Sequence, residues 1–445
     1  MEGENLHPKV CQSFANYYQQ IINGATGLLS ERDIEPPKPE NLIRYEELKN
    51  QQKKHWEKMV VIKLNGGLGT SMGLKKAKSL LKVKGDFTFL DIICQQILMM
   101  RKKQHQPIPL LFMNSFNTRE DTLEYLAKYA SLKINQLPLD FLQNKFPKIR
   151  QDNLAPLKSS NEHDNWNPPG HGEIYLAMQI TGILQQLIDC GYEYAFISNS
   201  DNLGAVADLK ILSHFAEMEI PFLMEVCHRT EMDKKGGHLA QTKSGQLILR
   251  EVAQCPDSEI NSFQDIEKYS YFNTNNLWVN LTALKESMQK NNDILPLPLI
   301  LNKKAVDDVP VYQVESAMGA AIGIFEGSKA LIVPRSRFLP VKKTNDLLAL
   351  WSDAFDLNED FSLTLHPSKK EIPIIDLDEN FSDIELLQSH FSEGIPSLKN
   401  CDFFQVKGDI YFGENVTCES KVSLTSRQKT FLKDRTIKDE DLILS

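Results

Sequence analysis

Short apolar runs alternate along this chain with longer amphipathic stretches. Met59-Val60-Val61-Ile62, Leu110-Leu111-Phe112-Met113, Tyr194-Ala195-Phe196-Ile197, Phe222-Leu223-Met224-Glu225-Val226 and Leu331-Ile332-Val333 each predict a buried strand. Helical patterns lie between them. Thr118-Arg119-Glu120-Asp121 has the form of a capping box, opening a helix with Leu123, Leu126 and Ala127 on one face. Phe89-Leu90-Asp91-Ile92-Ile93 reads as a helix start, and Glu173 to Ile188 as a further helix. Strands alternating with helices predict an α/β fold with a mostly parallel sheet, whose ligands bind at the carboxyl ends of the strands.

The two ends of the chain follow other patterns. Val10, Phe14, Tyr17, Tyr18, Ile21 and Ile22 have helical spacing, and Pro36-Pro37-Lys38-Pro39 then breaks the pattern as a linker. From Phe404 to Val416 apolar residues recur about every sixth place between Gly-Asp and Gly-Glu-Asn corners, which suggests short β-helix coils. Only two or three coils fit before a charged tail from Lys433, and a hairpin-rich appendix is the alternative. The division expected is an N-terminal helical segment at 1–40, a central α/β domain at 41–345 and a C-terminal domain with a short β-helix at 346–445.

Composition narrows the partners. The 445 residues are 41% apolar and 24% charged, with net charge −9 and a pI near 5.7. That balance argues against general nucleic-acid binding, which needs a basic surface. No apolar run reaches the ~18–20 residues that span a membrane, and Met1-Glu2-Gly3-Glu4 does not open a signal peptide. Seven scattered cysteines without C-x-x-C pairs read as free thiols in a reducing compartment, so the expected location is cytoplasmic. Cys94, Cys190 and Cys227 sit among apolar residues and are expected to pack as small hydrophobes.

The candidate chemistry begins where the first strand ends. Leu64-Asn65-Gly66-Gly67-Leu68-Gly69-Thr70-Ser71-Met72-Gly73 places four glycines in eight residues, and Lys75, Lys76, Lys78, Lys82 and Lys84 follow. It is neither a P-loop nor a G-x-G-x-x-G turn. Bare backbone beside lysines suits a polyphosphate; a merely structural turn is the alternative. Asp201, in Ser198-Asn199-Ser200-Asp201-Asn202, follows another strand and can hold Mg²⁺ through oxygen, or it can simply satisfy a turn. Pro169-Gly170-His171-Gly172 precedes a helix and can face a base or a phosphate. Asn273, Asn275 and Asn276 offer amides suited to sugar hydroxyls; loop amides that are simply hydrogen-bonded in place are the alternative. Arg335-to-Lys342 brings cations, with Lys342 the candidate phosphate contact and Lys343 a surface charge.

In this order these segments, with Lys235-Gly236-Gly237, closely resemble the eukaryotic-type UTP–glucose-1-phosphate uridylyltransferases (UDP-glucose pyrophosphorylases), from about residue 40 to the C-terminus. The resemblance implies a Rossmann-like nucleotidyltransferase sheet, mixed but mostly parallel and flanked by helices, with a C-terminal left-handed β-helix. It implies transfer of the uridylyl group of UTP to glucose 1-phosphate, giving UDP-glucose and pyrophosphate with Mg²⁺ as cofactor, and it allows a homo-oligomer through the C-terminal domain. Carried over residue by residue, Leu64, Gly66 and Gly67 would line the nucleotide, while Met113, Gln143 and Gly170 would read uracil. Lys78 and Lys342 would bind phosphates, Asn199, Gly237, Glu251 and Asn275 the glucosyl group, and His171 and Asp201 would lie near phosphates and Mg²⁺. No general base is required, because the attacking phosphate is already ionised.

Three departures stand out. Gly73-Leu74-Lys75-Lys76-Ala77 lacks the family's Gly-Pro pair ahead of the lysine, so Lys76 could compete with Lys78. Glu173 replaces the usual Asp, and the β-helix looks short. A uridylyltransferase for another sugar 1-phosphate and a catalytically silent nucleotide-sugar binder remain the rival readings.

Overall fold

The computed structural model describes residues 1–49, 55–134 and 136–444. Its centre is a mixed sheet whose main path, in chain order, comprises β1 (Leu42–Arg44), β2 (Met59–Asn65), β3 (Leu110–Asn114), β4 (Asp140–Leu142), β5 (Tyr194–Asn199), β6 (Phe222–His228), β7 (Tyr271–Asn280) and β8 (Lys329–Ile332). Their spatial order is β1-β8-β6-β7-β5-β2-β3-β4. Of these only β7 runs antiparallel to its neighbours, so the sheet is mostly parallel. Two further strands, His238–Thr242 and Leu247–Arg250, branch from β7, and Ile34–Glu35 pairs with the first of them.

Every residue of β2 is buried. Met59 and Val61 face the layer that contains Phe112, Phe196 and helix α1 (Phe89–Gln104), while Val60 and Ile62 face the layer with Leu111, Ile197 and Ile174 to Leu187. A strand covered on both faces reads as a continuous apolar run, which is why this one was visible in the sequence. Asp91 does sit at a helix start: its carboxylate accepts from Thr88 N, 2.9 Å away, in a capping box.

Four local expectations are corrected. Thr118 precedes helix α2 (Arg119–Leu126) but makes no capping bond to it. Its hydroxyl instead donates to Asn65 O at 2.7 Å, tying the end of β2. The helix expected over 173–188 is two helices, α3 (Ile174–Ile180) and α4 (Ile183–Asp189), because Gly182 takes φ +77° and Thr181 Oγ1 donates back to Ala177 O. Cys94 and Cys227 are buried as expected, but Cys190 is exposed on the turn after α4.

The charged tail is the fourth correction. Arg435–Leu444 is a strand, β12, and it extends a ladder made by β9 (Ile374–Leu377), β10 (Ser397–Lys407) and β11 (Val416–Ser426). Ile437 is buried while Lys438 and Asp439 are exposed, and Leu442 and Leu444 pack partly buried against the core, so the strand turns apolar groups inward beneath a largely charged exterior. Every pairing in the ladder is parallel, and Ile410–Phe412 pairs in parallel with Thr430–Leu432. Parallel neighbours cannot be joined by tight hairpins, so the hairpin-rich alternative is excluded. Phe404, Val406, Val422 and Leu424 fill the coil and join the core on one face of the main sheet. At the other end of the chain, the helix Pro8–Ile22 buries Val10, Tyr17 and Ile21 against Phe146, Leu176 and Val314.

Candidate functional site

The carboxyl ends of β2, β3, β4 and β5 share one edge of the sheet, and Leu64, Met113 and Phe141 stand in register across the first three. Past β2 the chain turns out at Gly66. A Cβ there would lie 3.0 Å from Gln143 Oε1, so the Gln143 amide rests against bare backbone. The same amide donates through Nε2 to Gly170 O at 2.8 Å. Gly170 has φ +78°, and a Cβ on it would stand 2.4 Å from Ser316 O, so only glycine fits. Gly66, Gln143 and Gly170 thus converge, beside the buried Met113. Nothing lies within 4 Å of the side-chain position at Gly67, which faces open space.

A raft of buried polar groups carries this loop. Asn65 Nδ2 donates to Asn114 Oδ1 (2.8 Å) and Thr122 Oγ1 (2.9 Å), Ser200 Oγ donates to Asn65 Oδ1 (3.0 Å), and Ser115 Oγ donates to Gly66 O (2.9 Å). The sequence reading passed over these residues. The available signal was that two strands end in asparagine at matched register, Asn65 opposite Asn114.

At the centre of the edge, Lys78 Nζ donates to Asp201 Oδ2 at 2.7 Å and also to Val341 O. Lys78 N donates to Gly67 O (3.1 Å), which folds the glycine loop back on itself, and Val341 N donates to Asp201 O (3.2 Å). One side-chain amine therefore joins the loops after β2, β5 and β8. Lys342 is exposed, and Asp346 Oδ2 fixes its backbone N at 2.7 Å. Lys343 is exposed as well. Of the other lysines, Lys76 pairs with Asp121 at 4.0 Å, and the same carboxylate accepts weakly from Ala77 N. An acidic side chain thus steadies the segment where proline is missing. Lys82 pairs with Asp86, and Lys84 donates to the carbonyls of Leu350 and Ser352.

The sugar candidates occupy the other flank. Asn199 ends β5, half-buried and in register with Leu64. A Cβ at Gly237 would lie 2.5 Å from Glu251 Oε2, so the carboxylate sits directly on the glycine backbone. Burial raises the Glu251 pKa, with the Lys342 charge pulling the other way. Asn275 takes φ +59° and is locked to Asn273 by two bonds, Asn273 Nδ2 to its Oδ1 (2.7 Å) and its N to Asn273 Oδ1 (2.8 Å). A left-handed asparagine inside a strand is an uncommon backbone state, of the kind that gathers at functional sites.

His171 stands apart from this group. Its Nδ1 accepts from Met318 N at 3.0 Å, and no hydrogen bond joins it to Asp201 or Lys78. Removal of water pushes its pKa down to about 4, so the ring is neutral at pH 7 and Nε2 carries the hydrogen. Glu173 is buried beneath the same loop, where its carboxyl accepts from Asn144 N and Asn144 Nδ2; burial outweighs those bonds and pushes its pKa up to about 8.

One family model, "UTP--glucose-1-phosphate uridylyltransferase", matches residues 11–419. The chain is 40% identical to the UTP–glucose-1-phosphate uridylyltransferase of Solanum tuberosum over 424 residues, which are 93% of this chain and 88% of that protein. It is also 40% identical to that of Saccharomyces cerevisiae, over 92% of this chain and 83% of that protein. The UDP-glucose pyrophosphorylase of Leishmania major, solved in open and closed forms, superposes with a TM-score of 0.93 at 39% identity, covering 100% of this chain and 98% of that one. A variant of the same enzyme in complex with UDP-glucose superposes at 0.92, again at 39% identity and with the same coverage. With its sheet, its C-terminal parallel coil and these likenesses, the chain belongs to the UTP–glucose-1-phosphate uridylyltransferases, nucleotidyltransferases that make UDP-glucose from UTP and glucose 1-phosphate.

Proposed function

We propose that this chain performs uridylyl transfer through an electrostatic clamp made by Lys78, Lys342 and a Mg²⁺ ion held at Asp201. The observation that carries this reading is the meeting of Lys78, Asp201 and the Val341 carbonyl over one sheet edge. A phosphate oxygen of glucose 1-phosphate attacks the α-phosphorus of UTP, a new P–O bond forms, and the bond to the β-phosphate oxygen breaks to release pyrophosphate. Both reactants are polyanions, so positioning and charge neutralisation supply the catalysis. Lys78 would bind the triphosphate, Lys342 the phosphates on the sugar side, and neutral His171 would donate from Nε2 to a phosphate oxygen. Leu64, Gly66 and Gly67 would line the nucleotide, with uracil read by Met113, Gln143 and the Gly170 backbone. Asn199, Gly237, Glu251 and Asn275 would hold the glucosyl hydroxyls.

Asp201 suits Mg²⁺ in one specific sense. Among the described residues no three His, Cys, Asp or Glu side chains cluster as a metal cage. Mg²⁺ is commonly held by one or two carboxylates, waters and substrate phosphates instead, and Asp201 offers one partly exposed carboxylate with a single lysine on it. When bound, the ion would supply charge neutralisation at the phosphates. Seven unpaired thiols, and the absence among the described residues of any helix long and apolar enough to cross a membrane, support the cytoplasmic reading.

Pyrophosphate release from UTP and Mg²⁺ with a panel of sugar 1-phosphates tests the reading. Release with glucose 1-phosphate is expected. Release only with another sugar would reassign the substrate, and UDP-glucose binding without release from any sugar would identify a silent binder.

A further inference from the structure

Beneath the site lies a buried ion pair that no step above employs. Glu225, in the middle of β6, has no exposed surface, and Arg337 in the loop after β8 is 9% exposed. Arg337 Nε donates to Glu225 Oε2 at 2.7 Å and its NH2 donates to Oε1 at 2.6 Å, a two-toothed clasp. β7 completes the shell, with Asn276 Nδ2 donating to Oε2 (3.0 Å) and Trp278 Nε1 to Oε1 (2.9 Å). The Arg337 carbonyl in turn accepts from Asn202 Nδ2 (3.2 Å) and Asn276 Nδ2 (3.1 Å), and Asn202 Oδ1 accepts from Leu339 N (2.8 Å).

The outer members of this network lie close in the chain to residues of the site. Asn202 follows Asp201, Asn276 follows Asn275, and Arg337 and Leu339 lie five and three positions before Lys342. Removing two charges from water is costly, and well-packed apolar residues often serve stability as well. A pair of this kind is better suited to fixing geometry than to adding stability.

We propose that Glu225, Arg337 and Asn202 are positioning residues, which hold the Lys342 loop in register with Asp201. Lys342 is otherwise an exposed side chain after a loop, and its placement needs such a frame. A displacement of about 1 Å in a reacting constellation can cost on the order of 10²-fold in rate. The inference rests on Lys342 acting at the phosphates.

The test is turnover per UDP-glucose-binding site, with the sites titrated calorimetrically so that misfolded protein is not counted. The charge-free double variant Glu225→Met/Arg337→Met and the milder Asn202→Ala are each expected to lower kcat per site at least 10-fold, with KM for UTP within 3-fold of the parent. Arg337→Lys, which keeps the charge but loses the fork, is expected to fall between the double variant and the parent. Combining Asn202→Ala with Lys342→Ala should cost no more than 3-fold beyond Lys342→Ala alone, because both act through one ammonium group. A purely structural role would lower the number of sites and leave kcat per site unchanged, and that result overturns the proposal. So does a fully additive loss. If the double variant does not fold, Asn202→Ala decides alone by the same criteria. Normal turnover in Lys342→Ala would instead sink the phosphate role of Lys342 itself.

Discussion

Lys78 Nζ lies 2.7 Å from Asp201 Oδ2, so two opposite charges 123 positions apart in the chain answer each other at the centre of the sheet edge. Under the roles proposed above, triphosphate would have to draw Lys78 away from that carboxylate, and a cation arriving at Asp201 would make the exchange favourable. UTP and Mg²⁺ are therefore expected to bind with positive coupling. Asp201→Asn should leave UTP binding in metal-free buffer as strong as before or stronger, and should lower turnover by on the order of 10²-fold. Calorimetry without metal and a Mg²⁺ titration of pyrophosphate release check both halves. Unimpaired turnover would remove Asp201 from the clamp.

Lys342→Ala should lower turnover by on the order of 10²-fold or more, the size of an electrostatic-clamp effect. The side chain is exposed, so the melting temperature should hardly move. Near-normal kcat in a folded variant would refute the assigned role.

Gln143 braces Gly170 O and rests on Gly66, so under the roles proposed above shortening it would open the nucleotide wall without touching the phosphate groups. Gln143→Ala should raise KM for UTP about 10-fold, from the loss of one or two bonds worth ~1–2 kcal/mol, and should relax discrimination against other nucleoside triphosphates. Steady-state kinetics with UTP and CTP read both effects. Unchanged selectivity would place base reading elsewhere.

The buried Glu173 sets a slope in stability against pH. Unfolded, its carboxyl loses its proton near the ordinary 4.5; folded, it keeps it up to about 8. The folded state then holds one proton more across that interval, so stability falls as pH rises through it. Glu173→Gln should flatten the slope. Urea midpoints at pH 5 and pH 8 measure it, and a variant with the parent's slope would show that another group is responsible.

How much was legible in advance follows from how far apart the interacting residues are in the chain. β2, β3, β5, β6 and β8 announced themselves because strands buried on both faces leave unbroken apolar runs. The glycine loop and Asp201 stood out as candidates because each lies just past such a run, and Lys342 because it closes the cation-bearing loop after the last one. The break at Gly182 needed one backbone angle, which no periodicity carries. Thr118 was misread because its hydroxyl serves the end of β2, 53 positions away, rather than its own helix. β12 resembled a charged tail because a parallel coil turns only every few residues inward, and the buried Ile437 stands among charged neighbours. Glu225 stood in the quoted run Phe222-to-Val226 as an apparent exception, and its partner is 112 positions distant.

Sheet order has one last consequence. β5, which leads to Asp201, has β2, β3 and β4 on one side and β7, β6 and β8 on the other. Under the roles proposed above, uracil is read on the first flank, and Asn275, Gly237 and Glu251 meet the hexose on the second. Substitutions that retune sugar preference would then accumulate without disturbing the base. A lineage built on this frame can exchange its hexose while its pyrimidine stays the same.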